Sequence, residues 1–207
     1  MTEEKKSSIG KEILDFVKVF VVSAVVVLLF ANFIAHPVTV IGHSMDPTLA
    51  DGEYGFTSVI SARLSDPQRN EIVVVTMTDP ETGEKSEWVK RVIGMPGDTI
   101  ECRNDDVYVN GEKIDESAYI DQEYKDSLLE KYGYFNKTLQ TTPENPEPQI
   151  VRDWGPVTLG EDEYFVMGDN RPYSKDSRDP SVGPVKRDQF YGKGVLVLFP
   201  FSKFGIK

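Results

Sequence analysis

The chain has 207 residues, a net charge of -11 and 39% hydrophobic residues, which is enough for one globular domain and a little more. So acidic a chain excludes nucleic acid as a natural partner, because phosphate binding needs clustered lysine and arginine. One cysteine, Cys102, and two histidines, His36 and His43, exclude an intrachain disulfide and a zinc centre of nitrogen and sulfur ligands, so no metal and no cofactor is expected.

The first predicted element is a transmembrane helix over residues 13–35. From Val19 to Ala35 there is no charge, and Ser23 and Asn32 are the only polar breaks. At about 1.5 Å per residue that run is about 26 Å long, close to the hydrocarbon thickness of a bilayer. Ile13, Leu14, Phe16 and Val17 extend it, with the stem of Lys18 reaching toward the headgroups. Lys5, Lys6 and Lys11 precede the run, and the first lysine or arginine after it is Arg63. The positive-inside rule then keeps residues 1–12 in the cytoplasm and carries residues 36–207 across. A cleavable signal peptide has a similar pattern, but it needs small residues first and third before the cut. Ala35 satisfies the first position and Phe33 is too large for the third, which favours a permanent anchor.

From His36 onward the pattern is β. The runs "PVTVIG", "EIVVVTM", "EWVKRVIG", "DDVYVNGEKI", "DEYFVMGD" and "GKGVLVLF" are short, β-branched and bounded by Gly, Pro, Asp or Asn. Asn110-Gly111 predicts a two-residue hairpin turn. Close strands without helical periods between them predict a mainly β fold with an antiparallel, barrel-like or sandwich sheet. Residues 119–155 read as an insertion: "YIDQEYKDSLLEKYGYF" holds one short helix and "TTPENPEPQ" is a proline-broken loop. In the terminal "VLVLFPFSKFGIK" a last strand and tail packed on the core are expected. The alternative is that Phe199, Phe201 and Phe204 meet lipid, with Lys203 and Lys207 at the headgroups.

The stretch "IGHSMDPTL" places Ser44 just outside the membrane run. A serine needs a base before it attacks a carbonyl. His43 is a poor candidate, because adjacent side chains on an extended chain point to opposite faces. His43 reads instead as a solvated loop residue and His36 as an interface residue. In "SEWVKRVIGMPGD" alternation puts Trp88, Lys90 and Val92 on one face and Val89, Arg91 and Ile93 on the other. If the first face is inward, Lys90 is desolvated and its pKa falls toward that of a useful general base. Alternation alone does not separate this from a lysine whose stem packs on the sheet while its amine reaches water, the commoner arrangement.

The segments "GHSMDPTL", "WVKRVIGMPGD" and "GDNRPYSKDSRDPSVGPV", in that order after one apolar span, resemble bacterial type I signal peptidases. These are membrane-anchored Ser-Lys endopeptidases that remove signal peptides from exported proteins, and the single-span form is typical of Gram-positive bacteria. The resemblance covers nearly the whole chain and is weakest over residues 119–155. It implies Ser44 as nucleophile, Lys90 as general base, and Ser174 as the hydroxyl that hydrogen-bonds and orients the lysine amine. Asp169, Arg171, Asp176 and Arg178 match polar residues that hold the site together. Read from the residues alone, "GDNR" after the apolar "YFVM" is a turn that brings opposite charges close together.

Gly42 departs from family members that carry a serine two positions before the nucleophile. The oxyanion hole implied here relies on backbone N–H groups, first that of Ser44. The implied substrates are signal peptides of secreted preproteins with small residues, usually alanine, at the first and third positions before the cut, bound as an added strand. The implied location is the cell membrane, single-pass, with the catalytic part on the outer face. Met45, Pro47 and Leu49 suit either an apolar surface around the site or ordinary core packing. Two other classes are a non-catalytic membrane-tethered peptide-binding module and a Ser-Lys peptidase that cleaves itself or a regulator. The presence of both Ser44 and Lys90 argues against the first. The anchor and the lack of a DNA-binding segment argue against the second.

Overall fold

The computed structural model describes residues 3–78, 82–140, 147 and 149–207, with backbone alone for residues 3–8 and 140. Most of the proline-broken "TTPENPEPQ" lies outside the described residues. Helix α1 (Glu3–Phe33) contains a 25-residue stretch, Ile9–Phe33, that is long and apolar enough to cross a membrane and is not buried by the protein. A helix that is apolar on every side and meets the rest of the protein only near its C-terminal end has the surface of a lipid-facing element.

The chain then turns to strands β1 (Ala35–Thr39) and β2 (Tyr54–Ser58), followed by the short helix α2 (Val59–Leu64). Next come β3 (Ile72–Thr78), β4 (Lys85–Gly94), β5 (Thr99–Arg103), β6 (Asp106–Val109) and β7 (Glu112–Lys113). Asn110 and Gly111, both at positive φ, close the β6–β7 hairpin as their dipeptide predicts. Helix α3 (Gln122–Tyr132) starts where the Asp121 carboxylate accepts from the Glu123 and Tyr124 amides and stops at Gly133. After it come β8 (Thr138–Gln140), β9 (Gln149–Val151), β10 (Trp154–Thr158) and β11 (Glu163–Met167). The chain ends with β12 (Val185–Lys186), β13 (Phe190–Phe199) and β14 (Gly205–Ile206).

The main sheet is antiparallel with strand order β1-β2-β13-β3-β4-β11-β12, and β14 pairs with β13. Its two edge strands do not meet, so it is an open sheet rather than a closed barrel. A second sheet, β10-β5-β6-β7, packs its Ile100, Cys102, Val107 and Trp154 against Ile93, Phe165 and Met167 of the first. Another core holds the β1–β2 connection down: Met45 and Leu49 lie among Val40, Ile72, Val195 and Val197. Truncating a side chain so buried costs about 2–5 kcal/mol. Met45 and Leu49 therefore anchor the loop that carries Ser44, whereas Pro47 is exposed.

The C-terminal expectation is corrected. Phe199, Phe201 and Phe204 are 57%, 83% and 64% exposed. β13 buries Val195 and Val197 in the core as expected, but after a short 3-10 turn, Phe201–Lys203, the tail returns only as β14 on β13 and leaves the three rings uncovered.

Candidate active site

Three chain segments converge on one end of the main sheet: residues 41–49 after β1, strand β4, and residues 168–178 after β11. Lys90 Nζ lies 2.9 Å from Ser44 Oγ, although the two residues are 46 positions apart. Lys90 is only 4% exposed, and its amine sits 5.6 Å from the Trp88 ring centroid. Burial pushes its pKa from 10.5 down to about 8, with Asp176 opposing, Arg178 adding to the depression and Asp169 opposing. A groove of about 350 Å³ opens over the pair, lined by Val38, Val40, Met45, Val89 and Tyr173 among others.

Asp169 is the joint of the three segments. Arg91 grips it with Nε to Oδ1 at 2.8 Å and Nη2 to Oδ2 at 2.6 Å, and Thr48 Oγ1 donates to Oδ2 at 2.6 Å. Asn170 ties down the backbone around Ser44, its N–H donating to the Ser44 carbonyl at 3.1 Å and its Nδ2 to the His43 carbonyl at 2.9 Å. Buried Asp176 accepts from Arg178 Nε and Nη2, both at 2.8 Å, and from the Gly168 amide at 2.9 Å. Burial alone would raise the Asp176 pKa, but the Arg178 charge and these hydrogen bonds hold it below the usual value. Arg171, also buried, donates to the Gly168 carbonyl at 2.9 Å, to Asn136 Oδ1 at 2.8 Å and to Glu116.

Gly42 sits at φ 85°, a conformation that strains any residue with a Cβ. Its N–H is spent on Asp51 Oδ1 at 2.7 Å. The N–H of Ser44, by contrast, makes no hydrogen bond among the described residues. His43 pairs with Asp46 at 3.1 Å and stands edge-on to Tyr173; no hydrogen bond joins it to Ser44 Oγ. No group of metal-ligating side chains exists among the described residues.

A family model described as signal peptidase, peptidase S26, matches residues 13–199. The chain belongs to the signal peptidase family. Signal peptidase I of Bacillus amyloliquefaciens is 36% identical over 98% of this chain and 96% of its own. Signal peptidase I S of Bacillus subtilis (strain 168) is 35% identical over 93% of this chain and 92% of its own. Signal peptidase IB of Staphylococcus aureus (strain COL) is 35% identical over 94% and 93%. A crystal structure of a signal peptidase I from Enterococcus faecalis V583 is 29% identical, covers 62% of this chain and 97% of that one, and has a TM-score of 0.39. The chain is accordingly a peptidase of the signal peptidase I kind.

Within this signal peptidase, Ser44, Lys90, Asp169, Arg171, Asp176 and Arg178 come together. Ser174 lies beside them. Its hydroxyl donates to the Lys175 carbonyl at 3.5 Å and supports the charged form of Asp176; no hydrogen bond joins it to Lys90 Nζ among the described residues. Ser174 is nevertheless close by, because a Cβ built on Gly168 would lie 2.3 Å from both Ser174 Oγ and the Ser44 carbonyl.

Sequence reasoning missed Arg91, Thr48, Asn170 and Gly168. Alternation put Arg91 on the face opposite Lys90, yet both are buried, because β4 is central and covered on both sides. Thr48 lies inside the serine motif and Gly168 begins the "GDNR" turn, so position alone flagged them, but not their contacts. The insertion also proved to touch the site. Its Asn136 holds Arg171, and its Lys137 carbonyl accepts from Arg178 Nη1 at 2.8 Å.

Proposed function

We propose that this chain is a single-pass membrane serine endopeptidase that cleaves signal peptides from exported preproteins through a Ser44–Lys90 dyad. The observation that carries the reading is the 2.9 Å contact between Ser44 Oγ and the amine of a buried lysine. With a pKa of about 8, roughly a tenth of the lysine is neutral at pH 7, far more than for a free lysine, and only the neutral amine accepts a proton.

In this mechanism Lys90 Nζ takes the Ser44 proton while Oγ attacks the scissile carbonyl carbon. The developing oxyanion turns to the unused Ser44 N–H. Lys90 then hands its proton to the leaving amine, and the acyl-enzyme ester remains on Ser44. The neutral amine next activates water, which hydrolyses the ester and restores Ser44. Asp169 and Asp176, each neutralised by an arginine, position the pair without quenching the lysine.

The substrate lies in the groove between β1 and β4 as an added strand. β1 is an edge strand, with one row of backbone groups free for a peptide. The apolar lining and the backbone of the Ser44 loop suit small side chains beside the cut, in line with an Ala-X-Ala preference. Helix α1 crosses the bilayer, residues 1–12 stay in the cytoplasm, and residues 36–207 work on the outer face. That explains why Ser44 follows the span so closely: signal-peptide cleavage sites emerge at the membrane surface.

The test is incubation of the detergent-solubilised chain with a preprotein and mass spectrometry of the products. One cut after a small residue, lost in Ser44→Ala, is the expected result. Tight preprotein binding without any cut would instead establish the peptide-binding module.

A further inference from the structure

The junction of α1 with the main sheet carries a feature the peptidase chemistry does not use. A groove of about 500 Å³ runs along Val25, Leu28, Leu29 and Asn32 of α1 and is closed at its upper end by Arg63 and Tyr191. A second cavity of about 360 Å³ shares those two residues and continues past Thr76 and Gln189. Either volume is within the range of ligand pockets.

Arg63 is the polar centre of this place. It lies in the last turn of α2, and its guanidinium sits 5.0 Å from the ring centroid of Phe33, the final residue of α1. Nearby Arg187 is ion-paired with Asp66 at 2.8 Å, but Arg63 has no ion pair and no hydrogen bond among the described residues. Its charge is felt at the Tyr191 phenol, which burial and Glu87 push up and Arg63 pulls down. An exposed, unpaired arginine where an apolar span ends, above an apolar groove, complements an anion with a hydrocarbon tail. Guanidinium matches phosphate by geometry as well as charge.

We propose that this groove binds one membrane phospholipid, an acyl chain along Val25, Leu28 and Leu29 and its phosphodiester on Arg63 with the Tyr191 hydroxyl. The proposal rests on the reading of α1 as a membrane span. Its consequence is mechanical: the lipid bridges α1 and the main sheet, and fixes how the Ser44 groove stands over the bilayer.

The experiment uses the full chain, stripped of lipid in detergent and titrated with phosphatidylglycerol, with bound molecules counted by native mass spectrometry. One phospholipid should outlast the detergent on the unmodified chain. Arg63→Ala should weaken its retention about tenfold or more, the scale of one lost charge-assisted hydrogen bond. Leu29→Trp, which fills the groove and leaves the charge, should weaken it as well. Diacylglycerol with the same chains but no phosphate should not be retained. Equal retention by the unmodified chain and Arg63→Ala, or diacylglycerol held as firmly as phosphatidylglycerol, overturns the site. So does displacement of the lipid by an apolar signal-peptide segment at equal concentration, which would make the groove a peptide site. Release of the chain from membranes by alkaline carbonate would overturn the span itself, and is a separate result from lost lipid selectivity.

Discussion

Two buried lysines stand in register on either side of the same residue. Val73 in β3 pairs with Lys90 in β4 on one side and with Lys193 in β13 on the other. They are 4% and 8% exposed, yet their surroundings differ. Lys193 Nζ has Ser65 Oγ and the Asp66 carbonyl at 3.0 Å each and the Glu71 carboxylate at 3.1 Å. Lys90 has one neutral hydroxyl, and the carboxylates nearest to it are already occupied by Arg91 and Arg178. Burial with a counter-charge makes a structural lysine; burial without one makes a base. The sheet supplies the same depth to both, and the acceptors supplied by loops decide the role.

The strongest test of that contrast is activity. Ser44→Ala and Lys90→Ala should each abolish preprotein cleavage, and the double variant should be no worse than either, since each is useless alone. Lys193→Met should keep kcat/KM within about threefold, because it touches no reacting atom. A Lys193 variant as dead as Lys90→Ala would erase the distinction.

The next test is pH. With Lys90 at about 8, kcat/KM should rise through an acidic limb centred near pH 8, where the free enzyme loses the proton. Lys90→Arg should be inactive at every pH, because guanidinium stays protonated. A limb centred near the free-lysine value of about 10.4 would show that the amine is solvated after all.

Stability should separate the two lysines in opposite directions. The folded-state pKa of Lys90 lies below its unfolded value of 10.5, so the unfolded chain binds more protons between about pH 8 and 10.5. The cost is fully present below pH 8 and disappears as pH rises through that window. At pH 6, Lys90→Met should therefore be more stable than the unmodified chain by on the order of 3 kcal/mol, measured by urea unfolding. Lys193→Met should lose about 1–3 kcal/mol, since it strands partners that now share its amine. The smallest effect expected is from Thr48→Val, which removes one hydrogen bond to Asp169. About 1 kcal/mol of stability and a severalfold drop in kcat at unchanged KM would fit a positioning role.

Much of the molecule was legible because it is local. The apolar run of α1, the Asn110-Gly111 turn and the capped α3 each depend on residues a few positions apart. The order of the three motifs likewise pointed to Ser44 and Lys90 before any contact was known. The C-terminal phenylalanines were misjudged because apolar composition looks the same whether a strand end is covered or not. For Ser174, sequence places a hydroxyl near the site but not its hydrogen-bond partner.

Sequence by itself determined the membrane-length helix, the mainly β class and the signal peptidase family, and it singled out Ser44 and Lys90 as the proposed pair. Those follow from periodicity, turn chemistry and motif order, which the chain carries along its length. Tertiary structure alone decided which buried lysine lacks a counter-charge. That depends on the Arg91–Asp169 and Thr48–Asp169 contacts, across 78 and 121 positions, and on register across β3. Register is a property of strands brought together, so no local reading of "WVKRVIG" shows where the acceptors of Lys90 have gone.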